Sequence, residues 1–178
     1  MFSLCLFLMT FTSYLIVFGI KYPESDIYWV GGAVGIGEIV GTLVSGLLAA
    51  CLGRRQTFIL MAMVAAFAAL LFVLERVYLR LDAYSTVFVL LAKAGNSAGF
   101  NVFYLLVAET YPTQMRGTAF GIINMVGRLG GLLAPLAMEW LPTGGVMMGL
   151  VAGANLVLVL LGVNVEETRG KALEDRLE

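Results

Sequence analysis

Histidine is absent from all 178 residues, and Asp, Glu, Lys and Arg together make up only 13% of the chain. The first absence removes His-ligated zinc, paired-histidine metalloprotease helices and histidine-based catalytic triads. The second sets the chain apart from soluble domains, in which roughly 25% of residues are charged. Cysteine is scarce too. Cys5 and Cys51 stand far apart and read as small apolar fillers, not as a disulfide or a metal motif. Neither sign of charge dominates: 11 basic and 12 acidic residues leave a net charge of -1. There is no basic surplus to neutralise phosphates, so nucleic acid is excluded as a partner. No paired catalytic Asp motif or nucleophile-base arrangement is present, so an intramembrane enzyme is disfavoured, and neither metal nor cofactor is expected.

What the chain has in abundance is apolar sequence, 60% hydrophobic residues with a mean hydropathy of +0.93. A hydrocarbon core about 30 Å thick takes roughly 20 apolar residues at 1.5 Å each. Six stretches of that kind occur, at 1–20, 28–50, 57–74, 84–107, 118–140 and 146–163. The sequence therefore predicts an all-α, polytopic membrane protein with one six-helix unit over 1–163 and a polar tail over 164–178. The first stretch has no basic leader and no small-residue cleavage site, which favours a retained helix over a signal peptide. Turns rich in Pro, Gly and charge join the stretches: "KYPESDI", "CLGRRQ", "ERVYLRLD", "AETYPTQMRG" and "LPTGG".

The basic residues orient the unit. Arg54, Arg55, Arg116, Arg169, Lys171 and Arg176 fall on one side, against Lys21, Arg76 and Arg80 on the other. The richer side is expected to be cytoplasmic, with both termini there.

Three charges interrupt the apolar runs near mid-depth: Glu38, Lys93 and Arg128. A basic residue at the bilayer centre costs at least about 2.5 to 3.5 kcal/mol, so it faces a cavity or a partner. Glu38 reads either as a fixed partner of Lys93 or Arg128, or as an ion-coupling group that carries a proton or contacts a cation. Lys93, Ser97 and Asn101 recur at i, i+4 and i+8, with Tyr104 following, as a polar stripe expected to line a cavity. Asn124, Arg128, Gly131 and Pro135 are expected to share a face of the next helix, kinked at Pro135. Glycines paired at four-residue spacing (31/35, 37/41, 95/99, 117/121, 127/131 and 145/149/153) are expected to let helix backbones approach closely.

The segment "AETYPTQMRG" resembles the E-x-Y-P-T-x-x-R turn of the major facilitator superfamily. "GLLAACLGRR" is similar to that family's G-x-x-x-D-x-x-G-R-R loop, and "EETRGKALED" to its P-E-T-K-G tail. Within the superfamily the likeness is to organic anion and cation transporters and synaptic-vesicle-two-like proteins, carried by "LLAKAGNSAGFNVFYLLVAETYPTQMRG" followed by "GRLGGLLAPL". Ala50 stands where the loop motif has Asp, and Glu166 where the tail motif has Pro.

The resemblance implies the C-terminal six-helix half of a twelve-helix secondary transporter. It implies transmembrane movement of a small organic solute, more specifically an organic anion, by alternating access. Arg128 matches the basic residue of an A-R-V-G-S segment and Lys93 the lysine of a G-K-G segment. Both are expected to bind substrate, with Asn124, Asn101 and Tyr104. For Lys93, pairing inside the protein is an equal alternative. Arg54, Arg55, Glu109, Arg116 and Glu167 match positions implied to gate the cytoplasmic side, the alternative being that they only mark topology. Expected partners are the lipid bilayer, the solute, and either a missing N-terminal six-helix half or a second copy. The other readings are a non-transporting receptor or vesicle protein of the same fold, or an inactive truncated fragment.

Overall fold

The computed structural model describes residues 1–18, 27–79, 84–141, 143–165 and 167. Lys21, Arg80, Glu166, Arg169, Lys171 and Arg176 lie outside the described residues, as do most of the first turn and the polar tail. The described residues form six α-helices: α1 (Phe2–Phe18), α2 (Ile27–Leu52), α3 (Arg54–Leu74), α4 (Ser85–Thr110), α5 (Thr113–Trp140) and α6 (Gly144–Val163). A π-helical turn, Glu75–Leu79, continues α3. No strand occurs among them.

The helices run past the apolar stretches at several ends. The third starts at Arg54 and the fifth at Thr113, because polar residues propagate a helix as readily as apolar ones once it has nucleated. Among the described residues, four segments are both long and apolar enough to cross a membrane: Val34–Leu52, Arg54–Val77, Thr113–Trp140 and Gly144–Val163. Helix α1 is apolar but shorter, at 17 residues. Helix α4 has the length, but carries Lys93, Asn96, Ser97 and Asn101.

Side-chain size is sorted as a bilayer requires. On α2 the buried positions are Val34, Gly37, Gly41, Ser45 and Ala49, while Ile36, Ile39, Leu43 and Leu47 point outward. Lipid tails are as apolar as leucine, so large apolar groups gain nothing by turning inward, whereas small ones let backbones meet. Helix α3 likewise turns small residues inward, Ala62, Ala65, Ala66, Ala68 and Ala69, with Phe58, Met61 and Phe72 buried beside them.

Helix α4 is the hub, packed against α2 on one side and α3 on another; α3 in turn carries α6, and α1 pairs with α5. A Cβ on Gly95 would lie 2.9 Å from both the Ala65 nitrogen and the Met61 carbonyl oxygen, and one on Gly41 would overlap the Ala94 carbonyl. The expected approach of backbones therefore holds at 37/41 and at Gly95; at Gly99, Gly127 and Gly131 the nearest atoms belong to the side chains of Met9, Leu6 and Tyr14, and on α5 it is Gly130 that meets a backbone, the Phe7 carbonyl. At 31/35, 117/121 and 145/149/153 nothing lies within 4 Å of an added Cβ. Those glycines face outward from the bundle, where four-residue spacing brings no partner. Several buried polar groups are satisfied between or within helices. Thr12 on α1 donates to Asn96 Oδ1 on α4 at 3.2 Å, and Asn155 Nδ2 donates to the Val151 carbonyl at 2.8 Å.

Candidate solute cavity and helix-end clasp

Between α1, α2, α4 and α5 lies a cavity of about 700 Å³. Its charged lining residues are Glu38, Lys93 and Arg128, joined by Tyr104, Asn124 and Ser13. Three midspan charges from three helices are thus gathered in one space.

They are not equivalent. Lys93 is nearly sealed, with its side chain 5% exposed, and its Nζ donates to Ser13 Oγ at 2.9 Å. The Glu38 carboxylate stands 3.8 Å from that ammonium and is 58% exposed. Arg128 is exposed to the cavity and makes no hydrogen bond or ion pair among the described residues. The lining carries one net positive charge, and its uncompensated member is a guanidinium, whose planar fork suits two oxygens of one carboxylate.

Toward the end of the cavity nearest the α4–α5 turn, the polar lining is tied off. Tyr104 Oη donates to Asn124 Oδ1 at 2.9 Å, Asn124 Nδ2 donates to the Phe120 carbonyl at 2.8 Å, and the Tyr104 and Phe120 rings stack at 5.9 Å. Phe100 extends this aromatic wall, 6.4 Å from Tyr104.

Of the residues expected to bind substrate, Arg128, Lys93, Asn124 and Tyr104 line the cavity; Asn101 is exposed on α4 and does not. Helical phase explains it. At about 100° per residue, Phe100 and Tyr104 fall within about 20° of Lys93, whereas Asn101 is about 80° round. Seven- and eleven-residue spacing carries the cavity face, not four and eight. Ser97 is buried but also outside the lining. On α5, Gly131 lines the cavity and Pro135 does not; the helix runs unbroken through that proline. Thr10, Ser13 and Tyr14 of α1 also line the cavity. The hydroxyl-rich run "TFTSY" in an otherwise apolar helix is the sequence signal for them.

The second constellation joins helix ends. Arg54 donates from Nε to Glu109 Oε1 at 3.1 Å, with Nη2 at 3.0 Å from the same oxygen. Glu167 accepts from the Arg54 and Arg55 backbone N–H groups at 3.0 and 3.2 Å, one carboxylate oxygen to each. It thereby caps the first turn of α3, where orphan N–H groups and the helix dipole favour an anion. Gly53 supplies the turn. Its φ of 102° is a conformation L side chains rarely adopt, and a Cβ there would come within 2.9 Å of the Glu167 carboxylate. Arg55 Nη2 donates to the Val163 carbonyl at 2.6 Å, binding the end of α6. Four of the five residues expected at the gate therefore converge. Arg116 stands apart and reaches the Tyr111 carbonyl at 3.5 Å.

Comparison with known proteins agrees with this architecture. The family model described as Major Facilitator Superfamily matches residues 1–176. Solute carrier family 22 member 7 of Homo sapiens is 33% identical over 171 residues, covering 88% of this chain and 30% of that protein. Solute carrier family 22 member 11 of Homo sapiens is 29% identical over 178 residues, covering 97% of this chain and 31% of that protein. Organic cation/carnitine transporter 7 of Arabidopsis thaliana is 31% identical over 144 residues, covering 79% and 28%. The chain thus spans about 30% of the length of these relatives. With the family model matched along almost the whole chain and the helices sorted as a bilayer sorts them, the chain is an integral membrane protein that belongs to the Major Facilitator Superfamily and has the fold of a six-helix half.

Proposed function

We propose that the protein moves a small organic anion across a membrane by alternating access, as one half of a secondary transporter. Arg128 carries this reading: a guanidinium at mid-depth, open to a cavity and without a counter-charge among the described residues. Such a group is costly in a membrane unless it faces a cavity or a partner, and a ligand anion can serve as that partner. In this mechanism Arg128 takes the anionic group of the solute, Tyr104 and Asn124 supply hydrogen bonds, and Phe100 flanks its apolar body.

The cavity is walled by helices of this unit on one side, with the outward apolar faces of α2 and α5 flanking it. A second six-helix half, from the same protein or another copy, closes it and rocks against it. The clasp of Arg54, Arg55, Glu109 and Glu167 holds its end shut when that end is closed. The basic residues Arg54, Arg55 and Arg116 at this end favour the cytoplasmic side, which puts both termini there. Exposed Tyr28, Tyr84 and Trp140 at the opposite ends of α2, α4 and α5 support the other membrane interface.

The test is uptake of labelled benzoate by the full-length protein. Arg128→Ala is expected to abolish uptake at unchanged surface abundance, and Arg128→Lys to restore only part of it, because a point charge lacks the fork. Undiminished uptake in Arg128→Ala would remove Arg128 from the pathway.

A further inference from the structure

We propose that Glu38 sets the charge of the solute: by holding Lys93 electrically silent, it leaves the cavity with the single positive charge of Arg128 and so selects monoanions over dianions. The inference rests on the anion reading above and deepens it.

Two observations carry it. First, the Lys93–Glu38 pair is lopsided, with the ammonium sealed at 5% exposure and the carboxylate solvated at 58%. A pair serving only to lock α2 to α4 would be short and shared equally. This one is 3.8 Å long, and the short contact of Lys93 is to Ser13 instead. Glu38 therefore acts on Lys93 mainly through its charge and stays in contact with the cavity space. Second, the other titratable groups of the lining are Tyr14, Tyr104 and Arg128. Glu38 is the only carboxylate of the lining among the described residues. On the side of the cavity that this unit supplies, the balance of charge therefore turns on whether the Glu38 carboxylate is present. Beside hydrocarbon walls each unit of charge weighs more than it does in bulk water.

The proposal assigns a different cavity charge to each of four proteins, independently of the details of packing. The wild type has one net positive charge and Glu38→Gln has two. Lys93→Gln has none, and the double variant returns to one. The probes are benzoate and phthalate, flat aromatic acids carrying one and two carboxylates, taken up by the full-length protein in proteoliposomes at neutral pH.

The wild type is expected to prefer benzoate. Glu38→Gln is expected to raise the phthalate-to-benzoate uptake ratio roughly tenfold or more, because Lys93 becomes a second cationic contact. Lys93→Gln is expected to lower benzoate uptake by a similar factor. The double variant is expected to recover the wild-type ratio, which a role in packing alone would not produce. If unpaired Lys93 keeps Glu38→Gln from reaching the membrane, the double variant carries the test: a wild-type ratio supports the assignment and loss of benzoate uptake overturns it. An unchanged ratio in a correctly inserted Glu38→Gln overturns it as well. Wild-type protein that takes up neither probe would instead overturn the anion reading beneath it.

Discussion

Helix α4 has two unlike flanks. On the side of α2 and α3 it meets its neighbours backbone to backbone, with Gly95 against Ala65 and Met61, and Gly41 against Ala94. On the side of α5 the contact is sparse, made largely by Tyr104 with its bond to Asn124 and its stack on Phe120. A seam of interlocked backbones cannot slide without losing many small contacts together. A seam made of one hydrogen bond and one ring pair opens at the cost of about 1 to 2 kcal/mol. The sparse line is that between α4 and α5 alone, because α1 is tied to α4 by the Thr12–Asn96 and Lys93–Ser13 bonds and shares a buried core with α3, α4 and α6 through Leu6 and Met9. The cavity lies along that line.

Breaking the rigid flank should have the largest effect. Gly95→Val places branched carbons against the Ala65 and Met61 backbone and is expected to cost about 3 kcal/mol. The check is thermal unfolding in detergent together with surface abundance; a protein of wild-type Tm would show that the seam yields. Next is Gly53→Ala, which forces a side chain into a glycine conformation and toward the Glu167 carboxylate, at about 2 kcal/mol. Removing the carboxylate charge with Glu167→Gln should cost less, about 1 kcal/mol. That loss should shrink in high salt only slightly, since the group sits against backbone N–H groups; salt titration of the melting temperature reads this out.

On the loose flank the sign of the comparison reverses. Tyr104→Phe keeps the ring stack and deletes the hydrogen bond, so the expected stability change is at most about 1 kcal/mol, yet solute exchange should change several-fold. Equal, small changes in both measurements would deny that this seam moves. Smallest of all is Gly149→Ala, where no atom lies within 4 Å of the new Cβ. A change within about 0.5 kcal/mol is expected, and a large loss would mean that a partner covers this face.

The sequence reveals the parts of this structure that obey repeating rules. Six apolar stretches become six helices because bilayer thickness fixes their length, and Lys93, Glu38 and Arg128 declare a cavity because hydrocarbon tolerates no isolated charge. Phase and distance are harder to read. Asn101 belongs to the same polar stripe as Lys93, but α4 turns it away, and only knowing that α5 is the neighbour tells which edge of the stripe matters. The same holds for the glycine pairs: 37/41 and 145/149 look alike on paper, and contact separates them. Glu167 could be matched to a gate by motif, but its actual partners, the Arg54 and Arg55 backbone N–H groups, carry no sequence signature at all.

The cap on α3 has a consequence for how the protein is made. Its acceptor, Glu167, follows Arg54 by 113 residues. At roughly 5 to 20 residues per second, the carboxylate leaves the ribosome on the order of ten seconds after the helix it completes. During that interval α3 sits in or near the membrane with its first N–H groups uncapped, and α4, α5 and α6 are inserted around an unfinished neighbour. Glu167 therefore arrives as a closing signal: the end of α3 is sealed only once α6 has been synthesised, so assembly of the clasp reports that every helix of the unit has been made.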